Sequence, residues 1–225
     1  MKFLRFLLFP FALIYDLITR VRNLFFEVGF LKQTSFNLPV IVVGNLSVGG
    51  TGKTPQIEYL IRLLKVGFKT AVLSRGYNRK TSGFMMLNDT HSAEDVGDEP
   101  LQYFKKFKDI DVAVDANRVQ GILKLITEAA PDLVLLDDAF QHRKVKGSFY
   151  ILLTKYNDLF TDDFLLPTGN LRESKAGAKR ADIILVTKCP IDLSESSKNK
   201  VRNKLKKYNT NVFFTTIYYD VKTSG

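Results

Sequence analysis

Cysteine and histidine are scarce in this 225-residue sequence, and their scarcity excludes whole classes of site. The one cysteine, Cys189, cannot form an internal disulfide, so a reducing compartment is the simplest interpretation. With only two histidines beside it, a zinc centre built from such ligands is excluded. Acidic residues are also in deficit, because 33 Lys and Arg stand against 23 Asp and Glu and give a net charge of +10. The balance predicts anionic partners, such as a phosphorylated ligand, anionic lipid or nucleic acid.

A hydrophobic run long enough to span a bilayer is missing from residues 1–35, although Phe and Leu are abundant there. The longest uncharged run, Phe6–Tyr15, has ten residues, whereas a membrane-spanning helix needs about 20. No small-residue cleavage site follows it, which disfavours a secretory signal peptide. The segment also carries dispersed basic residues: Lys2, Arg5, Arg20, Arg22 and Lys32. These features predict an amphipathic arm, 1–35, that lies in the membrane surface; an arm packed on its own domain is the alternative.

Apolar runs of strand length alternate with amphipathic, helix-like segments from residue 36 onward. Continuous apolar strands separated by helices predict a mostly parallel sheet with helices on both faces. The region 211–225 is expected to supply a last strand and the start of a linkage. The predicted strands are Val40–Val43, Thr70–Ser74, Val112–Asp115, Leu133–Asp137, Phe149–Thr154, Ile183–Thr187 and Val212–Tyr219.

The stretch VIVVGNLSVGGTGKTP, residues 40–55, changes from a strand to bare glycines and then to Gly-Lys-Thr. Glycines let the backbone approach an anion, and a following helix N-terminus favours negative charge. The lysine can reach the outer phosphates of a nucleotide, and the next hydroxyl can bind Mg²⁺. We therefore predict a P-loop nucleoside triphosphate hydrolase-like α/β domain over 36–210, although Ser47 stands where the strict pattern has Gly. The predicted nucleotide contacts are Ser47, Val48, Gly49, Gly50, Thr51, Gly52, Lys53 and Thr54.

Two acidic motifs complete the predicted chemistry. Asp137 and Asp138 end the apolar strand of PDLVLLDDAFQH and are candidate metal residues once paired with the loop. Asp98 in EDVGDEP is the candidate general base toward an acceptor hydroxyl, and Glu99 follows it directly. The alternative for Asp98 and Glu99 is that they only complement a helix dipole.

Two arginines follow predicted strands and should lie at the ligand-binding edge of the sheet. Arg75 stands in SRGY and Arg118 in DANR. The planar guanidinium suits phosphate, so the pair indicates an anion pocket, although either arginine alone would be read as a surface residue.

Two classes of P-loop protein lose their signature at single positions. A guanine-specific domain would have Asp where VTKCP has Pro190, and a partitioning-type ATPase would have Lys at Val48. A kinase-like transfer to a bound acceptor is then favoured. A P-loop NTPase that couples hydrolysis to a partner protein stays open, as does a non-catalytic nucleic-acid-binding module, although no nucleic-acid motif is present.

The motifs GNLSVGGTGKTP, SRGY, VGDEP, DANR, DDAFQH, LLPTGNLRE and ADIILVTK occur in this order. Together they resemble the tetraacyldisaccharide 4′-kinases of lipid A biosynthesis. The resemblance implies transfer of the γ-phosphate of ATP, with Mg²⁺, to the 4′-hydroxyl of a tetraacylated glucosamine disaccharide 1-phosphate, giving lipid IVA. It also implies a peripheral enzyme on the cytoplasmic face of a bacterial inner membrane, with no nucleic-acid partner.

The same resemblance implies a role for each motif residue. Lys53 and Asp98 would be catalytic, with Asp98 as the base. Thr54, Glu99, Asp137 and Asp138 would serve the metal. Substrate binding or shaping of the site would fall to Arg75, Arg118, Gln141, His142, Arg172 and Glu173.

Family members continue into a second, smaller α/β portion, which carries a histidine that works with the catalytic aspartate. The present sequence ends at Gly225, and neither His91 nor His142 matches that position. The resemblance therefore implies a C-terminally truncated chain, and the truncated form is expected to be only weakly active.

Overall fold

One eight-stranded sheet organises the computed structural model, which describes residues 5–217. The strand order is β3-β4-β2-β5-β1-β6-β7-β8, and every neighbouring pair is parallel except the antiparallel pair β3 and β4. Buried apolar clusters lie on both faces, as expected for a sheet covered by helices. The strands are β1 (Val40–Asn45), β2 (Thr70–Ser74), β3 (Met85–Met86), β4 (Asp111–Val114), β5 (Leu133–Leu136), β6 (Phe149–Lys155), β7 (Ile183–Thr187) and β8 (Val212–Phe214).

Six α-helices and two short 3₁₀ helices connect or precede these strands in the described residues. The 3₁₀ helices are Phe160–Asp162 and Lys175–Arg180. The α-helices are α1 (Phe9–Glu27), α2 (Lys53–Leu64), α3 (Ala93–Val96), α4 (Asp98–Lys106), α5 (Arg118–Ala129) and α6 (Glu195–Leu205).

The seven predicted strands are all present, and most boundaries agree within two residues. The prediction for the last strand was too long, because β8 ends at Phe214, and Thr215 to Ile217 are not in a strand. Residues 218–225, the rest of the predicted linkage, lie outside the described part of the chain. Strand β3 was not predicted, since two residues are too short to show an alternating pattern.

The position of β1 brings the predicted motifs together. It lies between β5 and β6, with Val42 opposite Leu136 of β5. The loop after β1 and the acidic pair after β5 therefore emerge side by side at the carboxyl edge of the sheet. That edge is where open α/β sheets bind ligands.

Helix α1 differs from an ordinary surface helix, because its solvent-exposed face is apolar. Ala12, Thr19 and Phe26 form the buried face. The helix is anchored on the domain by hydrogen bonds such as that from the Tyr15 hydroxyl to the Arg172 carbonyl (2.8 Å). No helix within residues 5–217 is long and apolar enough to cross a membrane. The exposed apolar residues of α1 and its flanks include Phe11, Leu13, Ile14, Leu17, Ile18, Leu24, Val28 and Phe30.

Candidate active site

The loop between β1 and α2 has the backbone geometry of an anion cradle. Gly49 and Gly52 adopt positive φ angles of 108° and 87°, which L-residues with side chains rarely adopt. Asn45, the last residue of β1, donates its side-chain amide to the Thr51 hydroxyl (2.8 Å). Thr187 at the end of β7 donates its hydroxyl to the Thr51 carbonyl (2.7 Å). The loop is therefore held from both sides before any ligand binds.

Several loop amides remain available for phosphate oxygens. Within residues 5–217, the amides of Gly49, Gly50, Gly52, Lys53 and Thr54 donate to no backbone carbonyl. The first part of the loop differs, because the Val48 amide already donates to the Asn170 carbonyl (2.8 Å) and Ser47 bridges to Leu171. The free amides thus converge at the start of α2, where the helix dipole also favours an anion.

Asp138 is fixed beside the loop by Arg172. The guanidinium donates to both carboxylate oxygens, at 3.1 and 2.8 Å, and also to the Asn45 carbonyl at 3.1 Å. The Lys53 ammonium lies 3.7 Å from the same carboxylate. Burial opposes ionisation of Asp138, but Arg172 and Lys53, with Arg118, outweigh it and lower its pKa. Asp138 is therefore an ionised carboxylate at the point where Lys53 would meet a nucleotide.

Asp137 has the opposite electrostatic character. Burial, reinforced by the charge of Asp138, raises its pKa to about 6. Its Oδ2 atom accepts a hydrogen bond from the Tyr103 hydroxyl at 3.2 Å and a longer one from Ser74 at 3.5 Å. Burial raises the pKa of Tyr103 far above its usual value, so this phenol remains a donor. The Thr54 hydroxyl partly offsets this rise in the pKa of Tyr103, so Tyr103 lies near the hydroxyl that ends the loop as well as near Asp137.

These oxygen donors suit Mg²⁺. The other carboxylate oxygen of Asp137, Oδ1, is buried and accepts no hydrogen bond from the described residues. An unpaired buried carboxylate oxygen beside a threonine hydroxyl is the hard donor set that Mg²⁺ prefers. No group of three or more His, Cys, Asp or Glu side chains gathers as a metal site within residues 5–217. Phosphate oxygens and water would therefore complete the coordination, as is usual for this ion.

Asp98 and Glu99 form the first turn of α4 and are exposed. Neither side chain forms a hydrogen bond or ion pair with residues 5–217. The charge of Glu99 nevertheless raises the pKa of Asp137, so it lies close to that carboxylate. Gly97 caps the helix at a φ of 94° and lies against Tyr77 and Gly76, where an added Cβ would come within 3.0 Å of the Tyr77 carbonyl. The chain therefore presents Asp98 to solvent on the same helix that delivers Tyr103 to Asp137.

A basic cavity of about 430 Å³ adjoins this edge and contains two of the predicted residues, Arg118 and His142. Arg118 is only 1% exposed, yet its Nε and Nη2 atoms find no partner among the described residues. Burial, together with the charges of Arg118, Arg75 and Arg22, lowers the pKa of His142 to about 4. The Nη1 atom of Arg118 donates to the Asp115 carbonyl. A buried guanidinium with two nitrogens that lack partners within residues 5–217, beside a neutral imidazole, indicates a place for an anion. Arg75 itself is exposed, but its charge reaches this cavity.

Gln141 and Glu173 connect the site to helix α1. The Gln141 amide donates to the Asn45 carbonyl (2.8 Å) and to Glu173 (3.0 Å). Buried Glu173 also accepts from Asn23 of α1 (3.2 Å) and from Arg180 (2.9 Å). Both predicted site-shaping residues are thus engaged in positioning the loop strand and the arm.

The family model for tetraacyldisaccharide-1-P 4′-kinase, LpxK, matches residues 4–220. The chain belongs to this family. Family membership confirms the resemblance inferred from the seven motifs.

Curated relatives are similar over much or all of this LpxK-family chain. It is 60% identical over 227 residues to the tetraacyldisaccharide 4′-kinase of Flavobacterium johnsoniae, covering all of this chain and 67% of the relative. The enzyme of the same name from Bacteroides thetaiotaomicron is 50% identical, over 89% of this chain and 53% of the relative. The chain thus spans between about half and two thirds of the length of these relatives.

A solved LpxK structure confirms the fold. The crystal structure of LpxK from Aquifex aeolicus in complex with ATP matches with a TM-score of 0.77 and 32% identity. The match covers 99% of this chain and 85% of that one. It establishes the mostly parallel, P-loop NTPase-like sheet predicted from the alternating apolar runs.

Several residues of the site were not among the predicted site residues, although Asn45 lies within the motif GNLSVGGTGKTP. Asn45 could have been noticed as a polar residue that ends a buried strand directly before the glycine-rich loop. Tyr103 could not, because an aromatic residue within an amphipathic helix normally indicates core packing. Asn23 and Arg22 lie in the arm, whose sequence indicated membrane contact or packing on its own domain but no place in the site.

Proposed function

We propose that this chain is the catalytic core of an ATP-dependent lipid kinase. It transfers the γ-phosphate of ATP to the 4′-hydroxyl of tetraacyldisaccharide 1-phosphate and forms lipid IVA. The observation that carries the proposal is the juxtaposition, in a member of this family, of a preformed phosphate loop with two aspartates, Asp137 buried and Asp138 partly exposed. The relative crystallised with ATP supports the choice of nucleotide.

The roles of the residues follow from their geometry. The unengaged amides from Gly49 to Thr54 bind the ATP phosphates, and Lys53 leaves Asp138 to pair with the outer phosphate. Asp138 stays anchored by Arg172, so the exchange needs no movement of the strand ends. Thr54 and Asp137 would hold Mg²⁺, with Glu99 and Asp138 nearby; the ion, when bound, neutralises charge on the phosphates.

Asp98 accepts the proton of the acceptor hydroxyl. Its exposed carboxylate has no competing partner among residues 5–217 and can meet an incoming sugar. Arg118 and His142 receive the anionic 1-phosphate at the other end of the disaccharide, because, among the described residues, basic side chains and no carboxylates line the cavity, and two guanidinium nitrogens of Arg118 lack partners. Arg75 adds to the same field.

The membrane surface is the natural place for this reaction. A tetraacylated substrate leaves a bilayer with difficulty, at about 0.8 kcal/mol for each CH₂ exposed to water. The outward face of α1 is mostly apolar, with Leu17 and Ile18 63% and 59% exposed, and the charged residues Arg20, Arg22 and Glu27 are exposed as well. We propose that this face inserts into the cytoplasmic leaflet of the inner membrane and holds the site near its substrate.

The decisive assay measures transfer of labelled γ-phosphate from ATP to tetraacyldisaccharide 1-phosphate in mixed micelles. It compares the 225-residue chain with a form extended to the length of the relatives. Asp98→Ala should lower the rate by about 10²- to 10⁴-fold. Asp192→Ala, another exposed aspartate, should have no effect. Absence of phosphorylated lipid with the extended form, or GTP hydrolysis without transfer, would refute the proposal and favour a partner-coupled NTPase.

Membrane docking has its own test, independent of catalysis. Leu17→Glu with Ile18→Glu should abolish sedimentation with phospholipid vesicles, because charges would enter the acyl region. Leu123→Glu on α5, a leucine 52% exposed, is the matched control and should sediment as the wild type does. Equal sedimentation of all three proteins would contradict insertion of this face.

A further inference from the structure

A second cavity, here called the arm groove, lies between helix α1 and the segment 163–176. It has a volume of about 480 Å³. Phe9 and Leu13 of α1 form one apolar wall, and Phe164 and Leu165 form the opposite one. Cavities of this size accommodate a lipid-like or drug-sized ligand.

Cations gather around the arm groove without matching carboxylates. Lys179 and Lys207 line it and form no ion pair with residues 5–217, and Lys175 lines it as well. The two aspartates of the groove are already engaged. Asp16 pairs with Arg20 (2.8 Å), and Asp163 accepts from the backbone amides of Phe164 and Asn170. The groove therefore combines apolar walls with a net positive rim.

One polar atom of the arm groove lacks a partner. The Oδ1 atom of Asp16 is buried and accepts no hydrogen bond from the described residues. A buried carboxylate oxygen without a donor destabilises the fold. A ligand that offers a hydroxyl group beside an anionic group would satisfy this oxygen and the lysines together.

The arm groove is separated from the proposed substrate cavity by α1 itself. At 100° per residue, Arg20, which lines the groove, and Arg22, which lines the basic cavity, point about 200° apart around the helix axis. The exposed apolar face of α1 runs between them. A lipid in the same bilayer could thus enter the groove while the substrate occupies the other side.

We propose that the arm groove binds one anionic glycerophospholipid with a hydroxylated headgroup, of the phosphatidylglycerol type. Its phosphate meets Lys179 and Lys207, a headgroup hydroxyl donates to Asp16, and the start of one acyl chain lies along Phe9, Leu13 and Phe164. The bound lipid stabilises α1 in its docked position. This inference rests on the proposed docking of α1 in the membrane.

The test measures retention of lipid by native mass spectrometry, with phosphatidylglycerol and phosphatidylcholine of identical acyl chains. The wild type should keep one phosphatidylglycerol and little phosphatidylcholine. Lys179→Gln with Lys207→Gln should weaken retention about 30-fold, since each cation near an anionic headgroup contributes roughly 5-fold. Lys105→Gln with Lys200→Gln removes the same charge from exposed sites outside the groove and should change retention little.

The variant Ala176→Trp distinguishes binding of lipid inside the groove from electrostatic attraction of lipid to surface lysines. Ala176 is exposed and lines the arm groove, so an indole there should fill the space while every lysine remains. It should lose the lipid adduct and still sediment with anionic vesicles.

The outcomes distinguish this inference from the proposed function. Equal retention of both lipids, or equal loss in the Lys105 and Lys200 control, would overturn the groove assignment while vesicle binding and kinase activity stand. Displacement of phosphatidylglycerol by tetraacyldisaccharide 1-phosphate would also overturn it, because the groove would then belong to the substrate. Failure of the wild-type protein to sediment with any vesicle would instead contradict the membrane docking of α1 on which the groove assignment depends.

Discussion

Asp137→Asn should make the ligand-free protein more stable at neutral pH, although it removes a proposed metal residue. The pKa of Asp137 is raised from its ordinary value of 3.8 to about 6, because burial disfavours the ionised form. Asparagine has a similar shape but no charge to bury. The substitution should therefore relieve an electrostatic cost that the active site imposes on the fold.

The magnitude follows from proton linkage. Between pH 3.8 and about 6 the unfolded chain has lost the Asp137 proton while the folded protein still holds it. The unfolded state then binds fewer protons, so the free energy of unfolding falls as the pH rises through this window. At about 1.4 kcal/mol per pH unit, the full cost reaches about 3 kcal/mol above pH 6, and about 2 kcal/mol of it accumulates between pH 4.5 and 7.5.

The assay is urea unfolding, followed by circular dichroism, of wild type and variant from pH 4.5 to 7.5. The stability difference between the two proteins should increase by about 2 kcal/mol in favour of Asp137→Asn across this range. The variant also hydrogen-bonds Tyr103 differently, but that effect on the free energy of unfolding does not change with pH. It therefore cancels, because only the change of the stability difference with pH is used.

Asp138→Asn is the control, with the opposite sign. Its pKa is lowered mainly through Arg172, so its ionised form stabilises the folded protein above the unfolded pKa. That contribution is complete throughout pH 4.5–7.5 and is lost only as the pH falls through the lowered pKa, so this variant should be less stable than wild type over the whole range. A pH-independent difference for Asp137→Asn would show that this carboxyl is not desolvated, and the electrostatic account of the site would be wrong.

Three further predictions concern neighbouring residues. Tyr103→Phe removes the hydroxyl 3.2 Å from Asp137, so about three- to tenfold more Mg²⁺ should be needed for half-maximal ATP binding, measured by calorimetry. An unchanged Mg²⁺ requirement would contradict a positioning role for Tyr103. Gly97 has a φ of 94°, and Gly97→Ala places a Cβ 3.0 Å from the Tyr77 carbonyl oxygen. The free energy of unfolding in urea should therefore fall by about 1–3 kcal/mol. Wild-type stability of this variant would disprove strain there. The His142 pKa, lowered to about 4 by burial and by Arg118, should rise on titration with inorganic phosphate in NMR spectra, whereas an unmoved pKa would argue against an anion in the basic cavity.

Local signals in the sequence were sufficient for the fold class and for the phosphate loop. The apolar run Val40–Val43 predicts a strand, and Gly49, Gly50 and Gly52 predict a loop with positive φ angles and free amides. Both features depend only on these few residues. The run before Asp137 likewise predicts a buried strand that ends in carboxylates. Such features are readable because neighbours along the chain determine them.

The sequence of the arm did not predict which of its faces packs on the domain. Its abundance of Phe and Leu with scattered basic residues indicated membrane contact or packing on the domain. The structure shows that the arm packs on the domain through one face and leaves an apolar face exposed. Ala12, Thr19 and Phe26 pack inward while Leu17 and its neighbours remain exposed. Which face turns inward depends on partners more than 100 residues away, such as Arg172, whose carbonyl accepts from Tyr15.

The sequence by itself determined which elements form and which residue types could handle phosphate, since propensity, periodicity and glycine geometry act over a few residues. Only the tertiary structure decided that Asp137 is buried with a raised pKa while Asp138, one residue on, is held ionised by Arg172. It also decided that Tyr103 and Asn45 belong to the site and that two basic cavities flank α1. Burial and charge at a point in space are sums over residues from distant parts of the chain, and no local pattern contains that sum.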